Sequence, residues 1–303
     1  MDFHKYESTR VSIVTPTYNQ AKYLAATIES VLAQDYLNLE YIVLDDGSTD
    51  NTQEILIHYS GRLRVACHAN QGQASTLNLG WSISTGSLLG YLSSDDLLHP
   101  DAVSRLVDAL DRSPHACVAY GDFDLIDTDG NRFRTVRSED FDVSRLSVDL
   151  VCQPGPGALF RRSVFEQTGG WTPHLRQIPD FEFWLRASKL GPFIRVPQVL
   201  AQYRIHSDSA SFRPVSEQRS MEIVDVMSKF WSTNSNPQGH EAIANAFVVA
   251  ARYHAHSGRP QATARCLALA LRLNWRILFA SKFWRTTVSG LLRRMFYRFR
   301  IKT

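Results

Sequence analysis

Two aspartates in succession, Asp95 and Asp96, follow the apolar run Leu88-Leu89-Gly90-Tyr91-Leu92 and the small residues Ser93-Ser94. Carboxylates fixed side by side repel one another and resist ionising together unless a cation is shared. A divalent ion held there by few protein oxygens keeps positions open for diphosphate oxygens and neutralises charge on a departing nucleotide. The same pair before a helix also serves as a cap, so both readings stand at this point. A second couple, Asp45 and Asp46, follows Tyr41-Ile42-Val43-Leu44. There a carboxylate accepts hydrogen bonds from a nucleobase or a ribose, or forms a turn in which Ser48 or Asp50 caps the next helix. Asn70-Gln71-Gly72-Gln73 sets a glycine ahead of another helical pattern, its amides free to face phosphate or simply to begin the helix. Far along the chain, Pro179 marks the first turn of a helix and puts Asp180 there, with Phe183, Trp184 and Leu185 to anchor the turns that follow. A carboxylate held in this way can take the proton from a hydroxyl; it is also the acid that a helix dipole favours.

These candidates need a frame that brings them to one edge. Val11-Ser12-Ile13-Val14-Thr15 reads as a first strand, with Leu24, Ile28, Val31 and Leu32 recurring at helical spacing behind it. Residues 41–44 read as a second strand, followed by a helix from about Thr52; residues 62–67 read as a third strand, 74–84 as a helix and 88–92 as a fourth strand. This alternation predicts an α/β fold with a mostly parallel sheet flanked by helices. In such sheets, ligands bind beyond the carboxyl ends of the strands, where loop amides and helix N-termini converge. The loops at 15–19, 45–50, 70–73 and 93–96 all fall on that edge, so one site can recruit all four. Pro100 opens a helix to about Asp111, and Asp129-Gly130 between Leu125-Ile126 and Phe133 predicts a hairpin. The acidic run 137–149 reads as a mobile surface connection. A domain boundary is expected near Phe212, beyond which residues 241–272 read as two antiparallel helices turned at Ser257-Gly258-Arg259-Pro260.

Val11-Ser12-Ile13-Val14-Thr15-Pro16-Thr17-Tyr18-Asn19, Val43-Leu44-Asp45-Asp46-Gly47-Ser48-Thr49-Asp50, Asn70-Gln71-Gly72, Leu77-Asn78-Leu79-Gly80 and Tyr91-Leu92-Ser93-Ser94-Asp95-Asp96 together closely resemble glycosyltransferase family 2, in that family's order and spacing. With later segments the resemblance covers residues 10–212, a nucleotide-binding half at about 10–100 and an acceptor half at about 101–212. It implies a GT-A fold, an activated sugar on a nucleoside diphosphate with a UDP-sugar favoured, Mn²⁺ or Mg²⁺, and inversion at the anomeric carbon. Carried over by position, Thr15, Pro16, Tyr18 and Asp46 line the nucleoside pocket with Asp45 beside them and Gly72 near phosphate, while Asp95 and Asp96 serve ribose, diphosphate and metal. Ser93 stands where the family often has an aspartate, which leaves open which carboxylate binds metal directly. Pro179-Asp180 likewise takes the place of the family's acidic pair, so the resemblance makes Asp180 the catalytic base. Tyr203-Arg204-Ile205-His206 and the residues after it resemble the family's closing segment; His206 is there a metal ligand or a phosphate donor, and Arg204 faces the diphosphate.

The chain has 303 residues, 44% of them apolar, and a net charge of +3. Residues 275–303 hold eight Lys and Arg and no acid, which leaves 25 basic against 30 acidic residues before them, or −5. That tail interleaves its cations with aromatic and aliphatic residues, and two readings stand: an amphipathic contact with an anionic membrane near a lipid-linked acceptor, or a last helix packed on the body. No recognised module points to nucleic acid. The first residues lack the apolar core of a secretory signal, and Cys67, Cys117, Cys152 and Cys266 show no redox or metal spacing and read as buried thiols. The setting expected is the cytoplasm, with the protein peripheral on the inner face of the plasma membrane if the tail binds lipid, and the task expected is extension of a bacterial surface glycan. A dinucleotide enzyme is disfavoured, because Thr15-Pro16-Thr17-Tyr18-Asn19 replaces the glycine-rich turn after strand one. A noncatalytic glycan-binding protein on the same fold is the remaining alternative.

Overall fold

The computed structural model describes residues 9–206, 213–232 and 237–279, which divide into two compact units. The first holds the residues up to Phe141 together with Cys152–His206; the second holds Asp142–Val151 and the described residues beyond 206.

The first unit starts with β1 (Val11–Thr17), buried at every position, as a central strand covered on both faces must be. After it come α1 (Ala21–Leu32), β2 (Leu39–Asp45), α2 (Thr52–Tyr59), β3 (Arg64–Cys67), α3 (Gln73–Ile83) and β4 (Leu88–Tyr91). β2 and β4 flank β1 in parallel and β3 lies outside β2, so these crossovers build four co-directional strands. Leu24, Ile28 and Val31 of α1 are fully buried at the spacing of one helical face. In α3, Gly80 brings the helix hard against the sheet: a Cβ there would lie 2.3 Å from Val14 Cγ1.

The unit continues through β5 (Leu97–Leu98), α4 (Ala102–Arg112), β6 (Val118–Ile126) and β7 (Arg132–Val136). The predicted hairpin is that of β6 and β7, with Gly130 at φ +88° supplying the left-handed turn residue. After the excursion through α5 (Val143–Ser147), the chain returns as β8 (Leu159–Arg161), α6 (Arg162–Thr168), α7 (Pro179–Ala187) and β9 (Phe193–Arg204). The sheet order is β3-β2-β1-β4-β8-β6-β9-β5, with β7 on β6. β8 runs antiparallel between β4 and β6, so β6 and β9 regain the direction of β1 and the sheet stays mostly parallel.

At the junction of the two halves sits Trp81, 1% exposed, its indole N–H donating to the Gly90 carbonyl at 3.1 Å. Its ring meets Phe160, Phe165, Trp171 and Phe183 with centroids 5.1 to 6.3 Å away. One side chain from the first hundred residues is thus a packing centre for the aromatic rings of residues 160–183.

In the second unit, α8 (Glu217–Trp231), α9 (Pro237–His256) and α10 (Pro260–Leu273) lead into a 3₁₀ turn at Trp275–Phe279. Ala242, Ala244, Ala246 and Ala250 of α9 are fully buried, small enough to let helices approach closely. Segment 142–151 is no plain connection: Asp142 caps α5 by accepting from the Ser144 and Arg145 amides, and Leu146 is fully buried. The indole of Trp231 and the amide of Asn245 donate to the carbonyls of Ser147 and Val148, which fastens that segment to α8 and α9. An acidic composition hid two buried apolar residues, Leu146 and Val148, and one helix cap. Cys117 and Cys266 are buried, but Cys67 and Cys152 are exposed, correcting the reading of all four as buried thiols. Among the described residues no helix is long and apolar enough to cross a membrane. Residues 280–303 of the basic tail lie outside the described residues.

Replacing Trp81 with alanine removes the largest fully buried side chain at this junction and is expected to cost about 3–5 kcal/mol. Urea unfolding checks it; a loss below about 1 kcal/mol would mean that the junction does not depend on this ring.

Candidate active site

The strand ends meet where loop is clipped to loop. After β1, Asn19 takes φ +53°, a left-handed conformation that asparagine tolerates, and its side-chain oxygen accepts from the Thr49 amide at 2.7 Å. Its own amide donates to Ser48 Oγ, and the Ala21 amide donates to Asp50, so the loops after β1 and β2 are held as one. Asp45 is fully buried and accepts from the Ser48 amide at 2.9 Å. Asp46 accepts from the Gln71 amide at 2.7 Å and the Gly72 amide at 2.8 Å, tying the β2 loop to the start of α3. Gly72 sits at φ +88°, and a Cβ there would fall inside the Arg176 guanidinium. Thr15 is fully buried with its hydroxyl accepting from Tyr41 at 3.1 Å, Pro16 is buried beside it, and Tyr18 stands 47% exposed at the rim. The Thr17 hydroxyl and His68 Nε2 are buried on the same edge without a hydrogen-bond partner. Such groups are ones a polar ligand can satisfy.

Asp96 is 2% exposed, and its carboxylate accepts from the Arg204 amide at 2.9 Å. Burial, reinforced by the neighbouring charge of Asp95, pushes it well above the usual carboxylate range. Arg204 is itself buried, its guanidinium donating to the carbonyls of Asp95, Asp127 and Thr128 and lying over the Tyr23 ring. His206 Nε2 lies 2.9 Å from Asp95 Oδ2, with its imidazole packed on Tyr23 at 4.8 Å. The end of β9 therefore closes over the acidic pair, Arg204 bracing it through main-chain contacts and His206 touching a carboxylate.

A cleft of about 320 Å³ opens beside this pair, lined by Asp96 and, from the first turn of α7, by Asp180. Pro179 begins that helix as the sequence implies, and Phe183 and Leu185 are buried behind it. Asp180 is reached by water at the cleft yet crowded by protein, and this partial desolvation raises its carboxyl above the ordinary range. Asp96 and Asp180 thus line one concavity, and the contact of His206 with Asp95 lies next to Asp96 in the chain. Glu182 lies in a different network, accepting from Thr172 and pairing with Arg186, and it braces α7.

Tyr91 was read only as part of a strand, yet its phenol lines the cleft, shares a hydrogen bond with Ser93 at 2.6 Å and accepts from Gln73. Burial and the charges of Asp96, Asp180 and Asp95 push the phenol well above its normal range, so it stays a neutral donor amid three acids. Its place two residues before Ser93, on the same strand face, was a usable signal. Arg176 offered none: its contact with the loop at Gln71 spans 105 positions. Among the described residues no three His, Cys, Asp or Glu side chains gather as a metal cluster. Asp95 with His206 gives two donors, a set that fits a cation keeping most of its positions for water and phosphate.

This sheet, with its acidic loops on one edge and an acid-lined cleft beside them, is the GT-A fold. S. aureus TarS 1–349 in complex with UDP-GlcNAc superimposes with a TM-score of 0.62 at 16% identity, over 88% of this chain and 91% of that one. The mannosyltransferase PcManGT from Pyrobaculum calidifontis, in complex with GDP-Man and Mn²⁺, does so at 0.58 and 18% identity, over 97% of this chain and 82% of that one. The chain belongs to glycosyl transferase family 2, whose model matches residues 12–169. The chondroitin synthase of Escherichia coli is 29% identical over 213 residues, 69% of this chain and 31% of that protein. The chain spans about a third of the length of the first curated relatives that it matches.

Since folded Asp180 holds its proton more tightly than the unfolded chain does, the folded state binds more protons above the ordinary carboxylate range, and stability falls as pH rises through that window. Asp180→Asn lacks this penalty. Melted in parallel from pH 4 to 7, the variant is expected to gain on the parent as pH rises; a gap that shrinks would contradict the desolvated setting.

Proposed function

We propose that the protein is an inverting, hexosyl-type glycosyltransferase that moves a sugar from a nucleoside-diphosphate donor, with UDP favoured, to a hydroxyl of a glycan or lipid-linked acceptor. One observation carries the reading: Asp180, from the acceptor half, lines the same cleft as Asp96, from the nucleotide-binding half. Family membership supports it, as do the printed ligands of the two similar structures, UDP-GlcNAc and GDP-Man with Mn²⁺. The chondroitin synthase relative supports a polysaccharide product, which we take to be a bacterial surface glycan. A cytoplasmic setting and a peripheral contact of residues 275–303 with an anionic leaflet belong to the same proposal and rest on the sequence.

The acceptor hydroxyl enters the cleft against Asp180, whose carboxylate takes its proton as the oxygen attacks the anomeric carbon opposite the diphosphate. A bond forms from acceptor oxygen to that carbon, the bond from the carbon to the phosphate oxygen breaks, and the nucleoside diphosphate departs with the electron pair. A raised carboxyl is the stronger base once ionised, which suits Asp180 to the step. Asp95 and His206, beside Asp96, are the residues that would hold Mn²⁺ or Mg²⁺, whose chemistry is to offset the charge on the leaving diphosphate. Asp45, Thr15, Pro16 and Tyr18 frame the nucleoside, and Asp46 acts through the Gln71 and Gly72 amides that it orients. Tyr91 donates a hydrogen bond at the reacting centre.

Thermal melting with UDP, GDP and dTDP, each with and without Mn²⁺, tests the donor site: one nucleotide is expected to stabilise the protein in a metal-dependent way, and stabilisation by none would sink the reading. With that donor, Asp180→Asn is expected to lower kcat by about 10²–10⁴-fold while the nucleotide-induced shift in melting persists. Transfer at parental rates in the variant removes the base assignment.

A further inference from the structure

The cleft carries information about the acceptor beyond the position of its hydroxyl. Sixteen residues line it, and the two charged ones, Asp96 and Asp180, are both acids; none of these described residues is Lys, Arg or His. The remainder is apolar or aromatic apart from the phenols of Tyr91 and Tyr203. Cations nearby in the chain are committed elsewhere. Arg204 is held by the carbonyls of Asp95, Asp127 and Thr128. Arg186 pairs with Glu182 and donates to the carbonyls of Thr168 and Gly170, and Arg195 makes a forked pair with Asp122. Trp171 stands edge-on to Tyr91 at 5.0 Å and Phe123 edge-on to Tyr203 at 6.3 Å, so the wall presents aromatic surface on which a sugar ring can lay an apolar face.

We propose that this cleft selects an acceptor whose reacting sugar ring bears no negative charge, a neutral pyranoside in place of a uronic acid or a sugar phosphate. The inference rests on the transferase reading and deepens it. A carboxylate or phosphate on that ring would enter a space that already holds Asp180 and Asp96 and adjoins the donor's own diphosphate, which is the group that takes up the charge of the proposed cation. Among the described residues no side chain of the lining offers it a counter-charge, and the largely apolar wall gives it a lower local dielectric than open water. Discrimination here comes from a repulsive element built into the wall, while the aromatic surface accepts neutral rings without regard to their hydroxyl pattern.

The test uses the full chain, the sugar nucleotide matching the base that stabilises it in the melting screen, and three pairs of acceptors: methyl glucoside, galactoside and mannoside, each against its methyl uronoside. The neutral member of each pair is expected to show at least about tenfold higher kcat/KM. Val136 lines the cleft from the half-buried edge strand β7, so Val136→Lys introduces the missing cation. It is expected to narrow the ratio several-fold, whereas Val136→Met leaves it unchanged. Uronosides that serve equally well or better in the parent overturn the inference, as does transfer to neither class while the nucleotide still binds. Loss of nucleotide binding itself would instead bring down the transferase reading beneath it. If Val136→Lys does not fold, the six acceptors on the parent still decide the matter.

Discussion

The Asp96 carboxylate, buried and bound to the Arg204 amide, is the constraint from which the rest of the site follows. A carboxylate out of water beside a second acid is unfavourable unless something fixes it. Here the last residue of β9 does so by lending its main-chain N–H to Asp96 and its guanidinium to the carbonyl of Asp95. The exchange locks the corner after β4 to a strand more than a hundred positions downstream. Two residues beyond Arg204, His206 meets Asp95 at the same corner. Asp96 is left strained towards its neutral form, a condition typical of sites where a charged ligand completes the electrostatics.

The same device recurs around the edge. Asp46 reaches the amides of Gln71 and Gly72, Asn19 reaches Thr49, and Asn78 both donates to and accepts from the main chain of Trp171. Each clip joins a loop to an element far away in sequence, so that loops, ordinarily the softest part of an α/β fold, become part of the scaffold. Polar side chains that look available in the sequence are thereby divided between those that hold loops and those left to meet a ligand. Asp46 and Arg204 hold loops in this way, whereas Asp180 stands at the cleft.

The strand-end edge and the cleft beside it are built from different materials. The edge at the strand ends is backbone amides, paired acids and unmatched polar groups. The cleft is an aromatic and apolar wall broken by two acids, Asp96 and Asp180, and by the phenols of Tyr91 and Tyr203. Trp81 joins them, since the residue that packs α3 against the sheet also carries the rings behind Asp180. Packing and chemistry are therefore not separable here: the rings that fill the acceptor half also shape the cleft.

What the chain determined by itself was periodic and local. Strands and helices alternating through the first hundred residues fixed a mostly parallel α/β sheet, which is borne out, and hence which loops share its carboxyl edge. Pro179 fixed the start of α7, because a ring without an N–H fits only the first turn. The short helix Val143–Ser147 in the acidic run 137–149 was not legible, since its buried apolar residue Leu146, like Val148 after it, becomes visible only against the partners of its own unit. Nor was a second task of the acids: that Asp46 accepts from the amides of Gln71 and Gly72 is visible only in the fold. Gly72 reads as a flexible turn until Arg176 is found in the space of its missing side chain. Tertiary structure decided these matters because hydrogen-bond partners and excluded volume are properties of pairs, and the pairs that matter here lie far apart along the chain.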